Sequence, residues 1–375
     1  MAHAYTPGLK VLEHTVLTKE RRLPLPGEIV VQKGSTVSAE QVVARTNLPG
    51  NVQTLNVAGL LGILPAEIDE VMLKQCGQCC GKEEVCAESK GFFGLFKTQV
   101  KSPIQGEIES ISKITGQVIL REPPIPVEVI AYIDGEVVDI IKSEGVEIRT
   151  TGSFIQGIFG IGGETIGQIA MAVDDPKEVL VPESIDESFK DKVIIGGSMA
   201  EFSALEKARD VGAKGVVVGG IEDQDLKKFM GYDIGVAITG SENVGITVIA
   251  TEGFGKLRMA DRTFALLKSL SGRKTSMNGA TQIRAGVMRP ELIVPSSTKS
   301  AAKKKADLST GTGLENGMKV RIIREPYFGL IGRVVGLPVA LSKIDTEAKV
   351  RVLDVELEDK RKVTLPRANV EIIEE

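Results

Sequence analysis

The chain has no tryptophan, four tyrosines and only 4% aromatic residues among its 375 positions, so aliphatic side chains must fill its cores. Both histidines, His3 and His14, lie near the start, which leaves histidine-based catalysis and histidine metal clusters little material. No apolar run is long enough to span a bilayer. Residues 1–10 lack the basic-then-apolar order of a secretory signal, and a cytoplasmic protein is the expectation. Neither a Walker loop nor a G-x-G-x-x-G fingerprint occurs. A net charge of −4 gives no global attraction to nucleic acid, so any such contact must come from a local patch.

What is present is β-strand pattern and glycine. Forty-one glycines punctuate short alternating apolar runs, and 42% hydrophobic with 26% charged content is ordinary for globular protein. One hairpin pattern is written twice. Val31, Gly34, Val37, Val42, Val43 and Ala44 return at the same spacing as Lys74, Gly77, Cys80, Val85, Cys86 and Ala87. A second echo sets Ile104, Gly106, Ile108 and Ile111 against Ile133, Gly135, Val137 and Ile140. A short helix is expected from Pro65 through Glu70.

From about residue 191 the period changes. Val193–Ile195, Val216–Val218 and Ile246–Ala250 are expected strands. Between and after them, expected helices start after a Ser198–Glu201 capping box, run from Asp223 to Met230 before Gly231, and run from Met259 to Ser271 before Gly272. Alternation of this kind implies an α/β unit with parallel strands. Residues 296–316 are Ser, Thr, Ala, Lys and Gly with almost nothing bulky, a linker composition. Short alternating strands resume after it.

The first hairpin and the run Ser102-Pro103-Ile104-Gln105-Gly106-Glu107-Ile108 resemble the barrel-sandwich hybrid of biotinyl and lipoyl domains. The order of pieces is most similar to the version in the Rnf complex C subunit and in membrane-fusion adaptors. Carrier domains present a lysine in a Met-Lys-Met or Asp-Lys-Ala context; neither occurs here, so no covalent biotin or lipoate is expected. The run from Gly317 to Ile323, followed by Glu325-Pro326-Tyr327-Phe328-Gly329 and Gly332-Arg333-Val334-Val335, resembles the KOW motif of NusG-type factors and certain ribosomal proteins. That resemblance implies an SH3-like barrel. The expected fold class is thus multidomain α+β: a barrel-sandwich hybrid β region over 1–175, a central α/β domain over 176–295, a linker over 296–316 and an SH3-like β-barrel over 317–375.

Cys76, Cys79, Cys80 and Cys86 read C-x2-C-C-x5-C. Such thiolates could ligate zinc or an iron–sulfur cluster, and a thiol switch between Cys76 and Cys79 is a further option. The hairpin alignment argues instead that Cys80 and Cys86 replace Val37 and Val43 as small core residues. Phe92, Phe93, Phe96, Phe154 and Phe159, in two glycine-rich loops, read either as core plugs or as a partner interface. Tyr327 and Phe328 stand as partner contacts, as base contacts or as side chains that close the barrel. Gly197 with Ser198, and Thr251 with Glu252, follow strand ends where open sheets bind ligands, although turn chemistry alone explains the glycines. Lys303, Lys304, Lys305, Arg321, Arg324 and Arg333 are the nucleic-acid candidates beside a barrel of nearly balanced charge. The functional expectation is a non-enzymatic binding or assembly protein with a protein partner or a second copy of itself. The alternatives are an RNA- or ribonucleoprotein-associated KOW factor, a metal- or redox-linked accessory, and an enzyme using the α/β crevice.

Overall fold

A computed structural model describes residues 9–89, 97–231, 240, 242, 244–282, 288–296, 314–322, 326–327, 330–343, 349–357 and 359–372. The fold is β-rich, multidomain and built from several sheets. Most of the expected linker, and with it Lys303, Lys304 and Lys305, lies outside the described residues, as do Phe92, Phe93, Phe96, Arg324 and Phe328.

The two echoes of the sequence are matched in three dimensions. Thr36–Val37 pairs with Gly135–Ile141, setting Val37 opposite Gly135. Cys79–Cys80 pairs with Gly106–Ile111, setting Cys80 opposite Gly106. Gly34 and Gly77 both turn at φ +85°, and their amides donate to the carbonyls of Val137 (2.7 Å) and Ile108 (2.8 Å). Glycine is required at the facing positions as well. A Cβ on Gly135 would lie 2.3 Å from the Arg149 carbonyl oxygen, and one on Gly106 2.4 Å from that of Arg121.

Each copy has its own core. Val37, Val43, Tyr132, Ile133, Val137, Val146 and Ile148 fill the first, while Cys80, Cys86, Ile108, Val118 and Leu120 fill the second. The second copy is nested within the first. The strands Val42–Leu48 and Ile125–Ile130 pair with each other, with Leu48 opposite Ile125, and the inner copy hangs between them. At the neck the Glu122 amide donates to the Asn51 carbonyl at 2.9 Å. The expected helix at Pro65–Glu70 is present as a single 3-10 segment beside the inner core.

The largest sheet has 13 strands and joins the outer copy to the α/β unit. Glu164–Met171, Lys192–Ile195, Gly215–Ile221 and Thr247–Phe254 are neighbouring parallel strands. Lys274–Asn278 and Glu291–Pro295 then lead antiparallel into Gly145–Gln156. Residues on either side of position 175 therefore share one hydrogen-bonded sheet. Side-chain alternation feeds two cores. Ile194, Val216, Val218 and Val248 pack with the helices Phe202–Asp210 and Asp223–Met230. Val193, Ile195, Val217 and Ile249 pack with the helix Asp261–Ser269 on the other face.

Gly231 ends its helix as a left-handed cap at φ +80°, as expected. The last helix is shorter than expected, Asp261–Ser269 with Leu270 as its cap, and Gly272, at φ +79°, lies in the turn beyond it. The capping box is not formed. The helix opens at Phe202 behind Glu201, without a side-chain cap. Ser198 instead donates its hydroxyl to the Lys177 carbonyl at 2.8 Å, because it lies in a buried strand-end turn facing that segment.

The C-terminal module pairs Lys319–Ile322, Ile331–Gly336, Lys349–Leu357, Lys362–Pro366 and Val370–Ile372 around Val320, Ile322, Val334, Leu353 and Val355. Its ladder does not close on itself among the described residues. No helix among the described residues is long and apolar enough to cross a membrane.

Candidate functional site

Lys192–Ile195, Gly215–Ile221 and Thr247–Phe254 run parallel, so their C-terminal ends share one edge of the sheet. This brings Gly197 and Ser198 to the same edge as Thr251 and Glu252. Such edges hold ligands in open α/β sheets. Here the chain itself fills much of the space. A Cβ on Gly197 would come within 2.3 Å of the Glu178 carbonyl oxygen. On Gly219 and Gly220 it would meet the carbonyls of Leu257 and Gly255, each at 2.0 Å. The glycines thus permit close passage of residues 175–178 and 255–259.

Glu252 is the polar centre of this edge. Its side chain is 4% exposed. One carboxylate oxygen accepts from the Thr251 hydroxyl at 3.2 Å and from the Ala260 amide, at the start of the helix Asp261–Ser269, at 3.0 Å. The other accepts from Arg321 of the C-terminal module at 2.5 Å, and the Arg321 side chain is only 11% exposed. A carboxylate removed from water is tolerated when every oxygen finds a donor. That condition is met here only because two modules meet.

Arg321 belongs to a basic row. Lys319 is two residues away on the same strand and so shares its face. Arg333 is the cross-strand partner of Lys319 and Glu356 that of Arg333. Lys319, Arg333, Glu356 and Lys360 line a shallow groove of about 300 Å³ next to Ile331, Gly332 and Leu357. Arg333 is exposed and donates to the Gly317 carbonyl at 3.2 Å. Tyr327 is half-buried and packs against the core of the module.

The cysteines divide into two pairs. Cys76 and Cys79 are exposed, while Cys80 and Cys86 are buried at 1% and 0% exposure, matching Val37 and Val43 at 3% and 0%. The Cys86 thiol points to the Val100 carbonyl at 3.3 Å. Burial, with the neighbouring Cys80 second, pushes it up to about 11. Burial, followed by the charge of Glu84, also raises Cys80. Both shifts hold these buried thiols in their neutral form at ordinary pH. Among the described residues no three His, Cys, Asp or Glu side chains are grouped to hold a metal.

Phe154 and Phe159 are each 6% exposed and sit in the cores of the outer copy and the α/β unit. The Phe159 ring lies 4.9 Å from that of Phe254, which is 48% exposed. Sequence reasoning missed a polar cluster where the outer copy joins the α/β unit. Arg21 binds both Glu164 oxygens at 2.6 Å and its guanidinium stands 5.3 Å over the Tyr132 ring. Lys19 pairs with Glu291 at 2.6 Å, and the Tyr132 hydroxyl donates to Glu291 at 3.4 Å. Burial, then the charge of Glu291, pushes the Tyr132 phenol well above its ordinary value. Its only local sequence signal would have been a tyrosine at φ +69°, which the residue string does not display.

Comparison with known proteins finds no matching family model, no matching curated protein and no matching solved structure.

Proposed function

We propose that this chain is a non-enzymatic binding and assembly protein whose β modules, of barrel-sandwich hybrid and SH3-like kind, contact another protein or a second copy of itself. The observation that carries this reading is the occupation of the α/β strand edge by the chain's own backbone and by the Glu252–Arg321 pair. The position used for small molecules in such sheets serves here to join modules. Native mass spectrometry of protein purified from its own host tests the reading. A complex with a protein partner, or a multiple of the chain mass, is the expected result. A stoichiometric small molecule on the single chain, lost on Thr251→Val, would overturn it. In the same measurement Phe92→Ser with Phe96→Ser is expected to dissociate the complex while far-ultraviolet circular dichroism stays unchanged.

A second reading rests on the groove with Lys319, Arg333 and Lys360. In this reading the C-terminal module, by its KOW-like pattern, binds a nucleic-acid backbone. Binding would weaken steeply with salt and would show little dependence on base sequence.

A further inference from the structure

We propose that Glu252 acts as an internal substitute for a phosphodiester oxyanion at Arg321, so that module docking and polyanion binding compete for the same guanidinium. The inference rests on the second reading above and adds a regulatory consequence to it. Three observations carry it. Arg321 continues the basic row of Lys319 and Arg333, so on register alone it belongs to the groove-bearing face. Its guanidinium is withdrawn from solvent by a carboxylate 69 residues earlier in the chain, across the segment 296–316. That carboxylate is also held from its own unit, by the Ala260 amide and the Thr251 hydroxyl on its other oxygen.

An oxyanion seated on an arginine shows the chemistry the arginine accepts. Carboxylate and phosphate oxygens both take guanidinium N–H donors in the same geometry. In the docked state Arg321 is spent on Glu252. A strand of phosphodiesters lying on Lys319 and Arg333 would gain one further contact if it displaced Glu252, and the ion pair that joins the module to the α/β unit would then be broken. Such a strand must supply enough contacts to offset the exposure of Glu252. A single phosphate is insufficient, and the site selects for a polyanion.

The experiment uses the full chain and its Glu252→Gln variant. Glutamine keeps an acceptor for Ala260 but removes the charge that holds Arg321. Binding of a labelled 20-mer oligouridylate and of a 20-mer oligothymidylate is followed by anisotropy across a salt series. Docking is followed separately, by energy transfer between dyes placed in the α/β unit and the C-terminal module. The variant is expected to bind about tenfold more tightly, with the slope of log K against log salt steeper by about 0.7, the share of one added single-strand contact. Arg321→Gln is expected to remove that gain in the double variant. Added 20-mer is expected to lower energy transfer in the parent. A preference for the ribose probe would indicate RNA, and equal binding a generic phosphodiester backbone; either supports the competition. Equal affinity in parent and variant would overturn the inference while leaving the binding reading intact. Undocking in the variant without binding of either probe would overturn both.

Discussion

At the scale of single residues, Cys86 shows how composition and position separate. Its thiol occupies a valine position of the duplicated hairpin, with no exposure to water. Cys80→Val with Cys86→Val is therefore expected to change stability by less than about 1.5 kcal/mol in urea denaturation. In the native protein a thiol reagent is expected to modify Cys76 and Cys79, and to reach the other two only on unfolding. Acid–base linkage adds a second measurement. Because the folded state holds the Cys86 proton up to about 11 against an ordinary 9.0, the unfolded chain loses its proton first as pH rises. The contribution is thus fully present below pH 9 and is lost as pH climbs towards 11, on the order of 2–3 kcal/mol. Urea midpoints at pH 8 and pH 10.5 should differ more in the parent than in Cys86→Val. These cysteine positions were legible in the sequence because the valine copy was printed alongside. The cluster around Tyr132 was not, since Lys19 and Glu291 are 272 residues apart and neither belongs to a motif.

At the scale of elements, the paired glycines make the duplication testable. Gly106→Ala and Gly135→Ala would each press a methyl group into a strand carbonyl at the equivalent place in the two copies. Each is expected to lower stability by about 1–3 kcal/mol, through overpacking. Gly272→Ala meets only open space, and its φ of +79° alone should cost about 1–2 kcal/mol. Guanidinium titrations of the three variants at equal m-values compare them. The helix at Asp223–Met230 was readable from its terminal Gly231, and that at Asp261–Ser269 from the spacing of Phe264 and Leu267, although it stops two residues short of the expected end. The start at Phe202 was misread, because Ser198 had a nearer acceptor in the Lys177 carbonyl. That acceptor comes from a segment 21 residues upstream, and a local capping rule cannot see it.

At the scale of the whole molecule, the modules differ in how firmly they are joined. The outer copy and the α/β unit share strand pairing from Gly152–Gln156 to Glu291–Pro295 and the salt bridges of Arg21 and Lys19. They are expected to unfold together. The C-terminal module has its own core and meets the α/β unit through Arg321 and Glu252. A fragment covering 317–375 is expected to give dispersed amide resonances. Its thermal midpoint should lie below that of the same module in the full chain, since the docked ion pair is missing. Poor dispersion would show that docking is a condition of its folding. The expectation that this module folds alone comes from the linker composition of 296–316. The shared sheet was silent in the sequence, because register between strands 130 or more residues apart leaves no local periodicity.

The nesting of one hairpin copy inside the other has a consequence for how this chain can be cut and spliced. Leu48 and Ile125 are direct partners, so residues 49–124 are, to the outer copy, merely the loop of a β-hairpin. Closing a long loop costs little more entropy than closing a short one, since the penalty grows only with the logarithm of length. Excising 49–124 and bridging the ends with Asn-Gly should leave the outer copy folded, and an unrelated domain with adjacent termini could be grafted at the same seam.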